Sequence, residues 1–383
     1  MKRLVCIVLG LSVAAAFGEQ WIDGSKLPLE GKAFEDVESY YDRLPSSARS
    51  PHVSLGLQNL KHHTAGLKFR FKTTSPTLAF RWSPYYDVGG PQSMAGCLYN
   101  GALGTAHMAA MGVSGIDVYV SGRNGGWKHF KSGFIYASTN GNTTSVGHIS
   151  RFNIAPGTPV MVHLPLYNGL KSFEVEVADG AKIEPLPPRR SGIEKPVVFY
   201  GTSITQGGCA SRPGMAFSNI AGRMLDAPTV NLGFSGHGRM EPVMADYLAR
   251  IDASCYVLDC LWNMRMSDSE AGSKKSGGYG CVDLNYEPFI RKLRAARPDV
   301  PIIMAEQCDV KCGKPNAKDK FIRALYEKLL AERWKNLVYL PKDEMFSGDG
   351  DGTVDGCHPN DKGMEQLAAA FGGAVKKALS GSR

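Results

Sequence analysis

The apolar pattern of this chain changes its period once, and that change limits the fold more than any other feature. Up to about residue 185 the apolar residues come in short alternating or β-branched runs: Gly66–Phe71, Thr77–Trp82, Ile116–Val120, Val160–Leu164 and Ser172–Val177. Phe69 with Phe71, and Phe173 with Val175 and Val177, each fall on one face, as the period of two in a strand requires. Asn124-Gly125-Gly126 and Asn140-Gly141-Asn142 supply turn residues that tolerate positive φ. From Lys195 onward the pattern differs. Strand-like runs at Val197–Tyr200, Thr229–Leu232, Cys255–Leu261, Ile302–Ala305 and Leu337–Leu340 alternate with helical segments near Met215–Leu225, Glu241–Arg250, Tyr286–Ala296, Lys318–Arg333 and Gly363–Leu379. Strand–helix alternation predicts a parallel sheet with helices on both faces. Between the two regimes, Pro185–Gly192 is rich in proline and reads as a short stiff linker. The expectation is an all-β, sandwich-like module over 19–188, followed by an α/β domain over 195–383.

The first residues pair Lys2 and Arg3 with an apolar run, Leu4–Ala16, and small residues near Ala16 and Gly18. That arrangement predicts a secretory signal peptide cleaved after Gly18, hence a secreted or periplasmic protein. The run is too short for a membrane anchor, which needs about 20 apolar residues. Cys6 lies inside it, away from the place a lipoprotein cysteine occupies. The formal charge of +8 falls to +6 once Lys2 and Arg3 are removed, and the remaining basic residues are scattered. Lys274-Lys275 and Arg189-Arg190 are isolated pairs, so no nucleic-acid footprint is predicted. Asn142-Thr143-Thr144 forms a glycosylation sequon, relevant to a eukaryotic source. Eight cysteines remain after Cys6 is lost, a number that permits disulfides in an exported protein, and Cys308 with Cys312 could close a small loop. No CxxC pair or His-x-x-x-His spacing suggests zinc, so neither metal nor cofactor is expected.

The chemistry-bearing residues lie in the second regime. Val197–Tyr200 runs into Gly201-Thr202-Ser203, which puts a serine at the carboxyl end of a strand, where ligand sites collect in open α/β sheets. A serine hydroxyl needs a base to take its proton, usually an imidazole oriented by a carboxylate. Asp355-Gly356-Cys357-His358 offers both, with an offset of three that lets one short loop hold the two side chains together. Acyl transfer also needs donors for a developing oxyanion. The amides of Ser203 and Gly236 and the side chain of Asn263 are candidates, with Gly233 competing for the place of Gly236. Glu306, Gln307 and Arg265 follow strand ends and could line the cleft. The run Gly348-Asp349-Gly350-Asp351-Gly352 lacks the full ligand pattern of a calcium loop and reads as a loop delivering Asp355 and His358.

These blocks resemble the SGNH/GDSL hydrolases. Gly201–Thr205 resembles the first family block, Asn231–Gly236 the second, Leu261–Met264 the third, and Asp355-x-x-His358-Pro359 the last, in family order. Gly115-Ile116-Asp117-Val118-Tyr119 is similar to the GxDLY module that precedes some secreted bacterial members. Thr202 replaces the common aspartate and Ile204 the common leucine, while Leu261 and Met264 flank the asparagine in place of the usual Gly and Asp. The resemblance implies a three-layer α/β/α domain and ester or thioester hydrolysis through an acyl-enzyme, without metal or organic cofactor. It implies Ser203, Asp355 and His358 as catalytic residues, and Ser203, Gly236 and Asn263 as the oxyanion hole. The expected protein is a secreted carbohydrate acetylesterase. Its alternatives are a lipase or thioesterase for longer chains, a non-catalytic carbohydrate-binding protein, and a chain whose N-terminal module acts as an interaction platform.

Overall fold

The computed structural model describes residues 18–86, 107–122, 125–133, 135, 146–268, 280–308 and 314–381. The leader up to residue 17, Cys97, Asn124, the 140–144 turn and sequon, Lys274-Lys275 and Cys312 lie outside the described residues. The first regime forms two antiparallel sheets. One orders β1 (Glu19–Asp23), β9 (Leu170–Ala178), β4 (Thr77–Pro84) and β7 (Gly147–Asn153). The other orders β10 (Ile183–Pro185), β3 (Lys68–Thr73), β8 (Val160–His163), β5 (Ile116–Ser121) and β6 (Trp127–Gly133), with β2 (Leu29–Glu30) also on β3. Their inner faces share one core. Phe69 and Phe71 come from one sheet and Phe80, Trp82, Phe173 and Val175 from the other, and Phe69 stacks on Phe173 at 4.6 Å. The linker prediction needs one correction. Pro185 ends a strand, opposite Phe71, because an edge position tolerates the missing N–H of proline.

The second regime forms a five-stranded sheet in which every strand pair is parallel. Its order is β12 (Thr229–Gly233), β11 (Val197–Gly201), β13 (Cys255–Asp259), β14 (Ile302–Ala305) and β15 (Leu337–Leu340). Each of the first three strands is buried at every position, which is why they read as largely apolar runs, with Thr229, Asn231 and Asp259 as buried polar exceptions. Val198, Tyr200, Tyr256 and Leu258 face a layer built from helices Pro242–Arg250, Val282–Ala296 and Ala317–Ala331. Val197, Phe199, Cys255 and Val257 face helices Phe217–Leu225 and Asp361–Gly381. This is a three-layer sandwich. The run predicted as Cys255–Leu261 stops at Asp259, and Leu261–Asn263 turns as a 3-10 helix instead.

The apolar cores do not respect the linker. Phe34, Leu44, Val53, Leu57 and Leu60 belong to the core on one face of the parallel sheet. Val113, Leu166 and Tyr167 belong to the core on the other. Polar groups cross as well. Arg43, 1% exposed, donates to the carbonyls of Leu60 and His63 on its own side and of Asn231 and Gly233 on the other. The GxDLY-like segment is a second seam. Asp117 is fully buried and accepts from Arg212 at 2.9 Å and from the Gly214 amide at 2.7 Å, while the Tyr119 hydroxyl accepts from Arg212 at 2.6 Å.

Candidate active site

The site assembles beyond the carboxyl ends of β11, β12, β13 and β15. In this strand order the chain leaves β11 for one side of the sheet and returns to the other, which opens a crevice beside β11. Thr202 makes the corner. Its hydroxyl accepts from the Ile204 amide at 3.2 Å and caps a single helical turn, Ser203–Gln206, closed by Gly207 at φ 107°. The residue in place of the usual aspartate is therefore an N-cap, a role threonine fills well. Ser203 begins the turn, and its carbonyl is held by the Gly208 amide at 2.8 Å and the Tyr167 hydroxyl at 3.0 Å.

Ser203 Oγ lies 3.0 Å from His358 Nε2, and His358 Nδ1 lies 2.8 Å from Asp355 Oδ2. The second oxygen of Asp355 accepts from the His358 and Cys357 amides at 2.7 and 2.9 Å. Partial burial pushes the Asp355 carboxyl up, but hydrogen bonds from the His358 ring and from those two amides outweigh it and hold it at about 2. Asp355 is thus a carboxylate at any working pH. It accepts a hydrogen bond from Nδ1–H, which leaves the Nε2 lone pair for the Ser203 hydroxyl. The loop closes on itself by a bridge between Thr353 and Pro359 and by the Val354 amide on the His358 carbonyl. Asp349, in the glycine–aspartate run, pairs with Lys362, and Asn360 donates to the Asp351 carbonyl. Asp361, at the start of the last helix, accepts from the Ser211 amide and hydroxyl, tying the histidine loop to the segment after Ser203.

The oxyanion candidates sit on the neighbouring loops. Gly236 has φ 71°, where a side chain would be strained, and nothing crowds it. Gly233 is a glycine for another reason: a Cβ there would lie 2.1 Å from the Gln206 nitrogen. Asn263 ends the 3-10 turn after β13, and its Oδ1 is buried without a hydrogen-bond partner. Glu306 is not a cleft residue. Its carboxylate is used by Arg323, Tyr339 and the Lys342 amide. Gln307 is buried, and Arg265 forms an isolated bridge with Cys281. The thiols of Cys209, Cys255, Cys260, Cys281 and Cys308 are free, so the permitted disulfides do not form among them.

Four further residues shape the site without a signal in the sequence. Gln206 binds the Leu166 carbonyl and His63 Nδ1 from the first regime and accepts the Ser235 amide at 2.9 Å, fixing the loop that carries Gly236. Asp259 lies beneath the corner and accepts from the Thr205 hydroxyl at 2.8 Å. Burial pushes its carboxyl up to about 7, with the Thr205 bond working the other way. His107 places its ring 5.2 Å from that of His358, and Cys209 lies beside both. These contacts join residues tens to hundreds of positions apart, so no local spacing announces them.

Residues 194–376 match the GDSL-like lipase/acylhydrolase family, and residues 19–183 match the GxDLY N-terminus of SGNH-hydrolase-type esterases. No curated protein matches the chain. Among solved structures, a protein of Bacteroides ovatus described as a GDSL-like lipase is 28% identical with a TM-score of 0.75, over 95% of this chain and 98% of that one. A salicylyl-acyltransferase, SsfX3, from a tetracycline biosynthetic pathway has a TM-score of 0.68 at 18% identity, over 94% and 97% of the two chains. A family two carbohydrate esterase of Clostridium thermocellum, solved with cellohexaose, has a TM-score of 0.51 at 13% identity, over 82% and 93%. At such identities the last two share the fold alone. The two sequence matches leave only a short stretch around the linker between them, and this chain belongs to the SGNH/GDSL hydrolase family, in the form that carries a GxDLY N-terminus.

Proposed function

We propose that this chain is an exported serine esterase that removes small acyl groups, acetyl foremost, from carbohydrates. The observation that carries the esterase reading is the unbroken hydrogen-bonded series Ser203–His358–Asp355. His358 Nε2 takes the hydroxyl proton as Ser203 Oγ bonds to the ester carbonyl carbon. The amides of Ser203 and Gly236 and the side chain of Asn263 receive the negative charge on oxygen. The carbon–alkoxy bond then breaks, and the alcohol leaves with the proton from His358. Water repeats the sequence on the acyl-serine and releases the acid. The carbohydrate part is supported by the predicted leader and by the β-sandwich. It is also supported by the sharing of this fold with an esterase solved with cellohexaose. In this reading the module boundary falls in the linker, at 188–195.

Purified protein should release acetate from p-nitrophenyl acetate and, faster, from acetylated oligosaccharides, and Ser203→Ala should abolish both. A preference for long-chain esters would replace the carbohydrate reading with a lipase. Equal inertness of wild type and variant would support a binding protein.

A further inference from the structure

We propose that His107, Cys209 and His358 form a binding site for a borderline divalent metal ion of the zinc type, and that filling it removes the catalytic base from service. One ligand atom from each residue lies within 4.8 Å of the other two. The three come from three separate segments: residues 107–109 just before helix Ala110–Ser114, the loop after the serine turn, and the histidine loop. Two imidazoles and a thiolate are donors such an ion prefers, and a tetrahedral ion leaves its fourth place to water or the Ser203 hydroxyl. The open face of the site is on the His107 side, since His107 is exposed whereas Cys209 is 7% exposed.

The carboxylate that would orient such a ligand is also present. Metal-bound histidines usually donate their other ring N–H to a carboxylate, which fixes the ring and strengthens the ligand. His358 Nδ1 is committed to Asp355 at 2.8 Å, so the nitrogen left for a metal is Nε2. That is the atom 3.0 Å from Ser203 Oγ. Binding therefore transfers the Nε2 lone pair from the serine hydroxyl to the ion. Cys209 gives up its proton to solvent as its sulfur joins the ion, and no electron changes hands. The same Asp355 that orients the imidazole as a base orients it as a ligand, so base and metal site exclude each other. The blocking role rests on the esterase reading, but metal binding does not.

The test begins with a readout that needs no activity. Co(II) added to metal-stripped protein should give a thiolate-to-cobalt charge-transfer band. The band should persist in Ser203→Ala and disappear in Cys209→Ser. Zn(II), measured by competition with a chromogenic chelator, should bind at least about tenfold more weakly to Cys209→Ser and His107→Ala. Ester hydrolysis by the wild type should be lost as Zn(II) is titrated in and return with EDTA, while the zinc concentration that halves each variant's own zinc-free rate should rise at least about tenfold. Absence of the cobalt band, or equal zinc affinity in wild type and both variants, overturns the site. A full site with hydrolysis unchanged overturns the block. His107 is exposed, so its variant answers the question even if Cys209→Ser folds poorly.

Discussion

The serine corner and the histidine loop bring their side chains within 3.0 Å of each other, yet they are built in opposite ways. Ser203 is 8% exposed and follows, after Thr202, a strand buried at every position. Its turn is braced by Thr202 and Tyr167, and by Gln206, which in turn binds His63 and Leu166 of the first regime. Asp355 and His358 lie on a loop whose bonds are almost all local, with side chains 35% and 20% exposed. The position of the nucleophile is thus a property of the whole fold. The position of the base is a property of a few neighbouring residues. Damage to the bracing around Ser203 should cost stability and activity together, and damage to the histidine loop should cost activity almost alone.

Removing the nucleophile sets the scale. Ser203→Ala should lower kcat by about 10⁶-fold, the size seen when the key member of a triad is lost, with Tm nearly unchanged. Asp355→Asn should lower kcat by about 10⁴-fold, because the imidazole loses its preferred tautomer, again with a small change in Tm. A large drop in Tm for Asp355→Asn would break the contrast, since it would make the loop part of the global fold.

At the seam the balance should reverse. Arg212→Met leaves Asp117 buried without its cation, and breaking such a pair costs about 3–5 kcal/mol. Denaturant unfolding should show that loss, and activity at room temperature should fall far less than in the two variants above. A stable Arg212→Met protein would mean that the GxDLY segment does not brace the serine side.

The last contrast lies under the corner and shows only as a pH dependence. Burial raises the Asp259 carboxyl from its ordinary 3.8 to about 7, so the folded state binds a proton that the unfolded chain has released. Stability should therefore fall as pH rises from about 4 to 7, where the unfolded state holds fewer protons. Asp259→Asn has no such proton to lose. Its unfolding free energy, relative to the wild type, should rise across that window and level off above it. Parallel curves for the two proteins would show that Asp259 is charged in the fold.

Legibility in the sequence followed burial geometry. The five parallel strands were readable because both their faces are covered, which leaves few polar positions to interrupt the run and none in Val197–Tyr200. The sandwich strands with one covered face were readable by alternation, as in Phe173, Val175 and Val177. Strands such as Leu29–Glu30 and Ile183–Pro185 were not, because two or three residues carry no period and their place is set by β3. The serine, aspartate and histidine could be singled out because their chemistry fixes residue type and local spacing. Gln206, Tyr167, His107 and Cys209 could not. Their partners lie on other segments, and each is an ordinary residue until the chain has folded.

Arg43 carries a consequence for how the chain yields to heat or to a protease. Its guanidinium is held by main-chain oxygens drawn from both sides of the linker, and burial lowers it to about 9, with Tyr167 and Asp42 pulling the other way. If the parallel-sheet half opened alone, this cation would lose the Asn231 and Gly233 carbonyls from its shell. Partial unfolding is therefore penalised, and the two sequence regimes should melt as one cooperative unit. A cut within 187–192 would leave two pieces that stay together, each holding part of the shell around a single buried charge.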